Sequence, residues 1–127
     1  MPAFRDLRAW QLAKALAVEC TKAARGFPGG ERHPLAEQLM RACYSVPLNI
    51  AEGSGRKGAR EFRRFLDIAR GSLLEVQSAI EMARELGYLT AERYAQLDEL
   101  ASEAGRTSWG LLRSVSDRAR RSTAPNR

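Results

Sequence analysis

Between residues 62 and 83 the apolar side chains fall at three- and four-residue steps: Phe62, Phe65, Leu66, Ala69, Leu73, Val76, Ile80 and Ala83. That spacing puts them on one stripe of an α-helix, whereas a half-buried strand would alternate every second residue. The pattern predicts a helix over 59–86, with Gly87 suited to the left-handed position that closes it. At ~1.5 Å per residue it spans roughly 40 Å, and a helix so long sets the height of the domain.

Three further stripes repeat the pattern. Leu7, Trp10, Ala13, Leu16 or Ala17, Cys20 and Ala24 predict a first helix, with Asp6 as its N-cap and Gly26, Pro28, Gly29 and Gly30 ending it. A second begins at Pro34, where a missing amide hydrogen costs nothing, and turns Leu35, Leu39, Ala42, Cys43, Val46 and Ile50 inward. The last starts at Thr90 as N-cap and places Tyr94, Leu97, Leu100 or Ala101, Ala104, Ser108, Leu111 and Val115 on one side. No segment alternates with β-branched enrichment over strand length, so a sheet is not expected. The expected architecture is all-α: an antiparallel up-and-down four-helix bundle over 1–116, followed by a basic, disordered C-terminal tail over 117–127. Pro47 breaks the local rules inside the second helix and predicts a kink, which either bends the helix around the core or aims Asn49, Glu52 and the next loop.

With 127 residues the chain makes one domain. The longest stretch without a charged residue, 42–51, is about half of a membrane span, and the charged N-terminus is unlike a secretory signal, so the expected address is the cytoplasm. Cys20 and Cys43 both lie in apolar stripes and read as small reduced core residues. The formal net charge of +6 is unevenly spread: residues 1–74 carry net +6, residues 75–103 net −5, and residues 104–127 net +5. Net charge of this sign favours a polyanionic partner, and the acidic block between basic ones suits complementary surfaces on neighbouring subunits.

Chemistry is sparse. The segment Gly53-Ser54-Gly55-Arg56-Lys57-Gly58 has the glycine spacing of a dinucleotide loop, but a helix precedes it where that loop needs a strand, so no nucleotide cofactor is expected. With a single histidine, His33, neither a histidine metal pair nor a di-iron carboxylate site can be assembled. His33 before Pro34 reads as a solvated N-cap rather than a general base, and Glu52 as exposed or as paired with Arg41 or a neighbouring subunit. What stands out is Arg56, Lys57, Arg60, Arg63 and Arg64 against one carboxylate, Glu61, at the positive end of the third helix. Steps of three and four put Arg56, Lys57, Arg60 and Arg64 on one face, a candidate nucleic-acid-binding surface; an ordinary solvated face is the competing reading. A second basic cluster, 113–127, contains no aromatic residue of the kind that stacks on bases.

The run Ser45-Val46-Pro47-Leu48-Asn49-Ile50-Ala51-Glu52-Gly53, then Glu61-Phe62, Phe65-Leu66, Ile68-Ala69 and Gly71-Ser72-Leu73, together with Phe4, Asp6, Leu7 and Trp10, resembles the bacterial four-helix-bundle family encoded by 23S rRNA intervening sequences. Pro47, Asn49, Glu52 and Gly53 map directly onto its motif. That family is similar to the accessory variability determinants of diversity-generating retroelements. The resemblance implies a homopentameric ring whose basic surfaces contact RNA or a reverse transcriptase. The expectation is therefore a non-enzymatic, cytoplasmic bundle that self-associates and binds RNA or DNA, with neither cofactor nor membrane; a protein-binding adaptor is the alternative. Trp10, Trp109, Tyr44 and Tyr88 are the large groups expected to remain incompletely covered in a single subunit.

Overall fold

The stripes become four helices in the computed structural model, which describes residues 3–123. They are α1 (Arg8–Arg25), α2 (Pro34–Ser54), α3 (Ala59–Glu85) and α4 (Ala91–Thr123), with short 3₁₀ turns at Phe4–Asp6 and Gly30–Arg32 and no strand among the described residues. Each helix packs on its two neighbours, α1 on α2 and α4, α3 on α2 and α4, with no diagonal packing among the described residues. Short connections at 26–33, 55–58 and 86–90 turn each helix back on the last, so this is an up-and-down bundle. The start of α1, the end of α2, the start of α3 and the later turns of α4 therefore lie at one end. There Leu7, Ser54, Ala59, Phe62, Leu111 and Arg118 border a single hollow.

The core is the union of the four stripes. Leu16, Leu39, Ile50, Ile80, Leu97 and Val46 are the largest side chains removed from solvent, and Cys20 and Cys43 are buried free thiols beside them. The neighbouring Cys43 sulfur and burial push the Cys20 thiol well above the usual thiol range, so Cys20 behaves as packing. Across α1 and α4, Arg93 pairs with Glu19 at 2.9 Å and donates to the Glu19 carbonyl at 3.1 Å; the Arg93 hydrogen bond holds the Glu19 carboxyl below its ordinary value.

Helix ends depart from expectation in instructive ways. Thr90 does cap α4, accepting from the Arg93 amide at 3.1 Å, and Gly87 closes α3 at φ 80°. Asp6 lies in a 3₁₀ turn and Leu7 is the N-cap of α1, with no side-chain cap. His33 caps α2, its Nδ1 accepting from the Leu35 amide at 3.0 Å, but it is half-buried rather than solvated. Its Nε2, left with the proton of the neutral ring, donates to Tyr88 at 3.1 Å inside a cluster with Phe27. Residues 117–123, expected in a disordered tail, form the last two turns of α4, because Ala119 continues the buried stripe of Leu112 and Val115 by one more turn. The rest of that expected tail, 124–127, lies outside the described residues.

The motif residues of α2 prove to be packing devices. Pro47 is buried and α2 runs through it from Pro34 to Ser54. Asn49 donates to the Ser45 carbonyl at 2.8 Å and to Ser45 Oγ at 2.9 Å, and Ser72 of α3 donates to the same Oγ at 2.7 Å, so one serine ties the two helices together. Gly53 is buried where α3 comes closest: a Cβ there would stand 2.7 Å from Phe65 Cβ and 3.0 Å from Phe62 Cδ1. The serine contact sets the spacing of α2 and α3 at mid-helix, and the close approach at Gly53 sets it at the end of the bundle that carries the arginines.

Two glycine substitutions of opposite sign test this. Gly53→Ala pushes the helices apart and should cost about 1–3 kcal/mol in urea unfolding. Gly71→Ala, on an exposed turn of α3 with nothing within 4 Å, should gain about 0.5–1 kcal/mol from helix propensity. Equal effects at the two positions would contradict the close approach at Gly53.

Candidate functional site

The charge blocks of the sequence become the two ends of the molecule. Because α4 returns antiparallel along α3, its basic second half lies beside the basic first half of α3, and the acidic residues 75–103 gather toward the opposite end. Basic groups far apart in the chain thus share one end.

Within that end the five predicted residues separate into two groups. Arg56 and Lys57 are not on the helix face, because Gly58, at φ 82°, is the N-cap of α3 and holds them in the preceding turn. Arg60, Arg63 and Arg64 are on the first turns of α3, and all five side chains are exposed. Arg56 pairs with Glu52 at 3.5 Å and lies 5.0 Å from the centre of the Phe65 ring. Arg64 lies 4.5 Å from the same centre and donates to both oxygens of Glu61, at 3.1 and 3.2 Å. That fork holds the Glu61 carboxyl below its ordinary value and the Arg64 guanidinium above its own. Lys57, Arg60 and Arg63 form no ion pair with a described residue. No side chain caps the first amides of α3, which leaves the positive end of a 27-residue helix beside those three cations.

The neighbouring stretch of α4, a second basic cluster in the sequence, joins this end in a way its own segment does not reveal. A groove of about 420 Å³ between the two helices brings Arg63 and Arg70 of α3 to Arg113 and Arg120 of α4, with Trp109 on its wall. The aromatic missing from the C-terminal basic cluster is therefore supplied from one turn upstream, and Trp109 is 43% exposed. The three- and four-residue steps from Trp109 to Arg113, Ser116 and Arg120 were the available signal, obscured by assigning 117–127 to a tail.

The other candidates settle into structural places. Glu52 is exposed and its partner is Arg56, not Arg41. Asn49 and Gly53 face α3 as described, and Pro47 is part of the buried side of α2. Among the described residues no group of three His, Cys, Asp or Glu side chains is placed to hold a metal ion. No helix among them is long and apolar enough to cross a membrane.

Comparison with known proteins bears on the family and the fold. The model of the 23S rRNA-intervening sequence protein family matches residues 5–110. Among solved structures, the chain is similar to a protein of unknown function from the S23 ribosomal protein family of Bacteroides thetaiotaomicron. The TM-score is 0.74 at 19% identity, covering 82% of this chain and 97% of that one, which shows a shared fold. No curated protein matches the sequence.

The Glu61–Arg64 fork can be read by titration. Because Arg64 lowers the folded-state value of Glu61, the pairing is present at neutral pH and is lost as the pH falls through that lowered value. In a carboxyl-carbon NMR titration Glu61 should protonate at lower pH than an isolated glutamate, and Arg64→Gln should return it to the ordinary range. An unchanged midpoint in that variant would show that Arg64 is not held by Glu61.

Proposed function

We propose that this chain, which belongs to the 23S rRNA-intervening sequence protein family, is a non-enzymatic RNA-binding bundle of the cytoplasm that works as a homo-oligomer. The observation that carries the reading is the convergence of two basic segments on one end, where Lys57, Arg60 and Arg63 are exposed with no carboxylate partner among the described residues. Such groups, beside uncapped helix amides, suit phosphates spaced along a backbone. Binding rather than catalysis is supported by where the reactive side chains are spent: His33 caps a helix and meets Tyr88, and both cysteines are in the core. The likeness to accessory variability determinants supports a reverse transcriptase as a protein partner of the same assembly.

Self-association, with a five-membered ring as the form the resemblance implies, is supported by two unlike faces. Val18, Tyr44 and Leu48 are exposed on α1 and α2, where a separate shallow hollow between these two helices is bordered by Lys14 and by Lys22 and Arg25, the last two paired with Glu19 and Glu31. Leu74 and Met82 are exposed on α3 among Glu75, Glu81 and Glu85. Unlike apolar faces of opposite charge can pair head to tail, and head-to-tail contacts close into a ring when the rotation between subunits divides a full turn. Of the four large aromatics expected to be incompletely covered, Tyr44 and Trp109 are exposed while Trp10 and Tyr88 pack against the core.

A salt titration tests the reading. Log affinity for RNA should fall linearly with log salt, and Lys57→Glu/Arg60→Glu/Arg63→Glu should flatten the slope by about 0.7–0.9 for each phosphate no longer neutralised, while leaving the mass in light scattering unchanged. Binding with no salt slope would favour the adaptor, and a monomeric mass would remove the ring.

A further inference from the structure

The groove between α3 and α4 differs in character from the open surface of Lys57 and Arg60. Its volume, about 420 Å³, lies in the range of small-ligand sites and is far too small for a duplex. One wall is flat and aromatic: Trp109 is 43% exposed, and the Arg70 guanidinium sits 4.2 Å from its ring centre. The charges around that wall are mixed. Arg63 and Arg113 border it without an ion pair, Asp117 pairs with Arg120, and Asp67 projects one carboxylate between the arginines of α3.

Mixed charge decides which polyanion fits. A row of phosphates laid along the groove would run over Asp67. A single nucleotide places its charge at one point and its hydrogen-bonding base edge at another, which matches a lining that holds both arginines and carboxylates. A flat aromatic surface beside cations is what an unstacked base needs, and base-on-aromatic stacking is largely indifferent to sequence. In a duplex the base faces are covered by their neighbours, so Trp109 would have nothing to stack on.

We infer that the α3–α4 groove receives one splayed-out nucleotide of single-stranded RNA, its base stacked on the Trp109–Arg70 pair and its flanking phosphates on Arg63 and Arg113. This deepens the RNA-binding reading above and rests on it. The basic end supplies attraction to any polynucleotide; the groove supplies selection for single strands.

The test uses the full chain carrying Trp10→Phe, so that Trp109 is the one remaining indole. It is titrated at fixed salt with a short RNA oligomer of mixed sequence, single-stranded or annealed to its complement. Single strands should quench Trp109 emission and bind more tightly than the duplex. Trp109→Ala should weaken single-strand binding roughly 5- to 100-fold, leaving duplex binding unchanged, and Trp109→Phe should keep most of the affinity. Arg113→Glu, at an exposed position, should weaken single-strand binding and flatten its salt slope by about one. Equal affinity for both forms, or single-strand binding indifferent to Trp109→Ala and Arg113→Glu, would overturn the groove while leaving the basic end standing. A fall in oligomer mass in Trp109→Ala would assign Trp109 to a subunit contact and overturn it too. Failure to bind either RNA form would overturn both readings.

Discussion

The antiparallel return of α4 along α3 is the constraint from which the rest of the molecule follows. Two helices of 27 and 33 residues, joined by residues 86–90, pack side by side. A chain whose charge runs basic, acidic, basic is thereby folded into a rod with a basic end and an acidic one. The dipoles of the two helices do not explain this arrangement equally. At the C-terminal end of α4, Arg118, Arg120 and Arg121 complement the helix dipole. At the start of α3, Arg60, Arg63 and Arg64 oppose it, and Glu61 is the only carboxylate in that turn, already held by Arg64. A local electrostatic cost of that kind is expected where a bound anion offsets it.

Two sets of residues have different work. Ser45, Asn49 and Ser72 tie α2 to α3 at mid-helix, and Gly53, closely approached by Phe62 and Phe65, fixes how the first turns of α3 sit on the end of α2. The cations stand on that platform: Arg56 and Arg64 both lie over the Phe65 ring, and the Cβ of the same residue is at the close approach to Gly53. The motif that identifies the family is thus architectural, and the side chains able to meet a phosphate are its neighbours.

Much of this was legible in the sequence, for a simple reason. Apolar periodicity is a local property, and tertiary packing followed it almost residue for residue in α3, where every member of the stripe from Phe65 to Ala83 is buried. The misreadings fall where information is not local. Arg56 and Lys57 share helical spacing with Arg60 and Arg64, but the positive φ of Gly58 starts the helix two residues later, and spacing alone does not reveal that. His33 gives no hint of Tyr88, a partner 55 residues away. The end of α4 carries too much charge to announce itself as helix, and its order depends on Ala119 finding a place against the bundle. The groove at Trp109 needs two helices in register, which no single segment displays.

The central claim is that a polyanion binds one end of this rod. Amide hydrogen exchange of the full chain, with and without single-stranded RNA, measures it most directly. The account predicts slowed exchange over residues 55–70 and 109–121, with residues 26–33 and 81–99 unchanged. Protection centred on the acidic end, or no change anywhere at an RNA concentration that saturates binding, would contradict it.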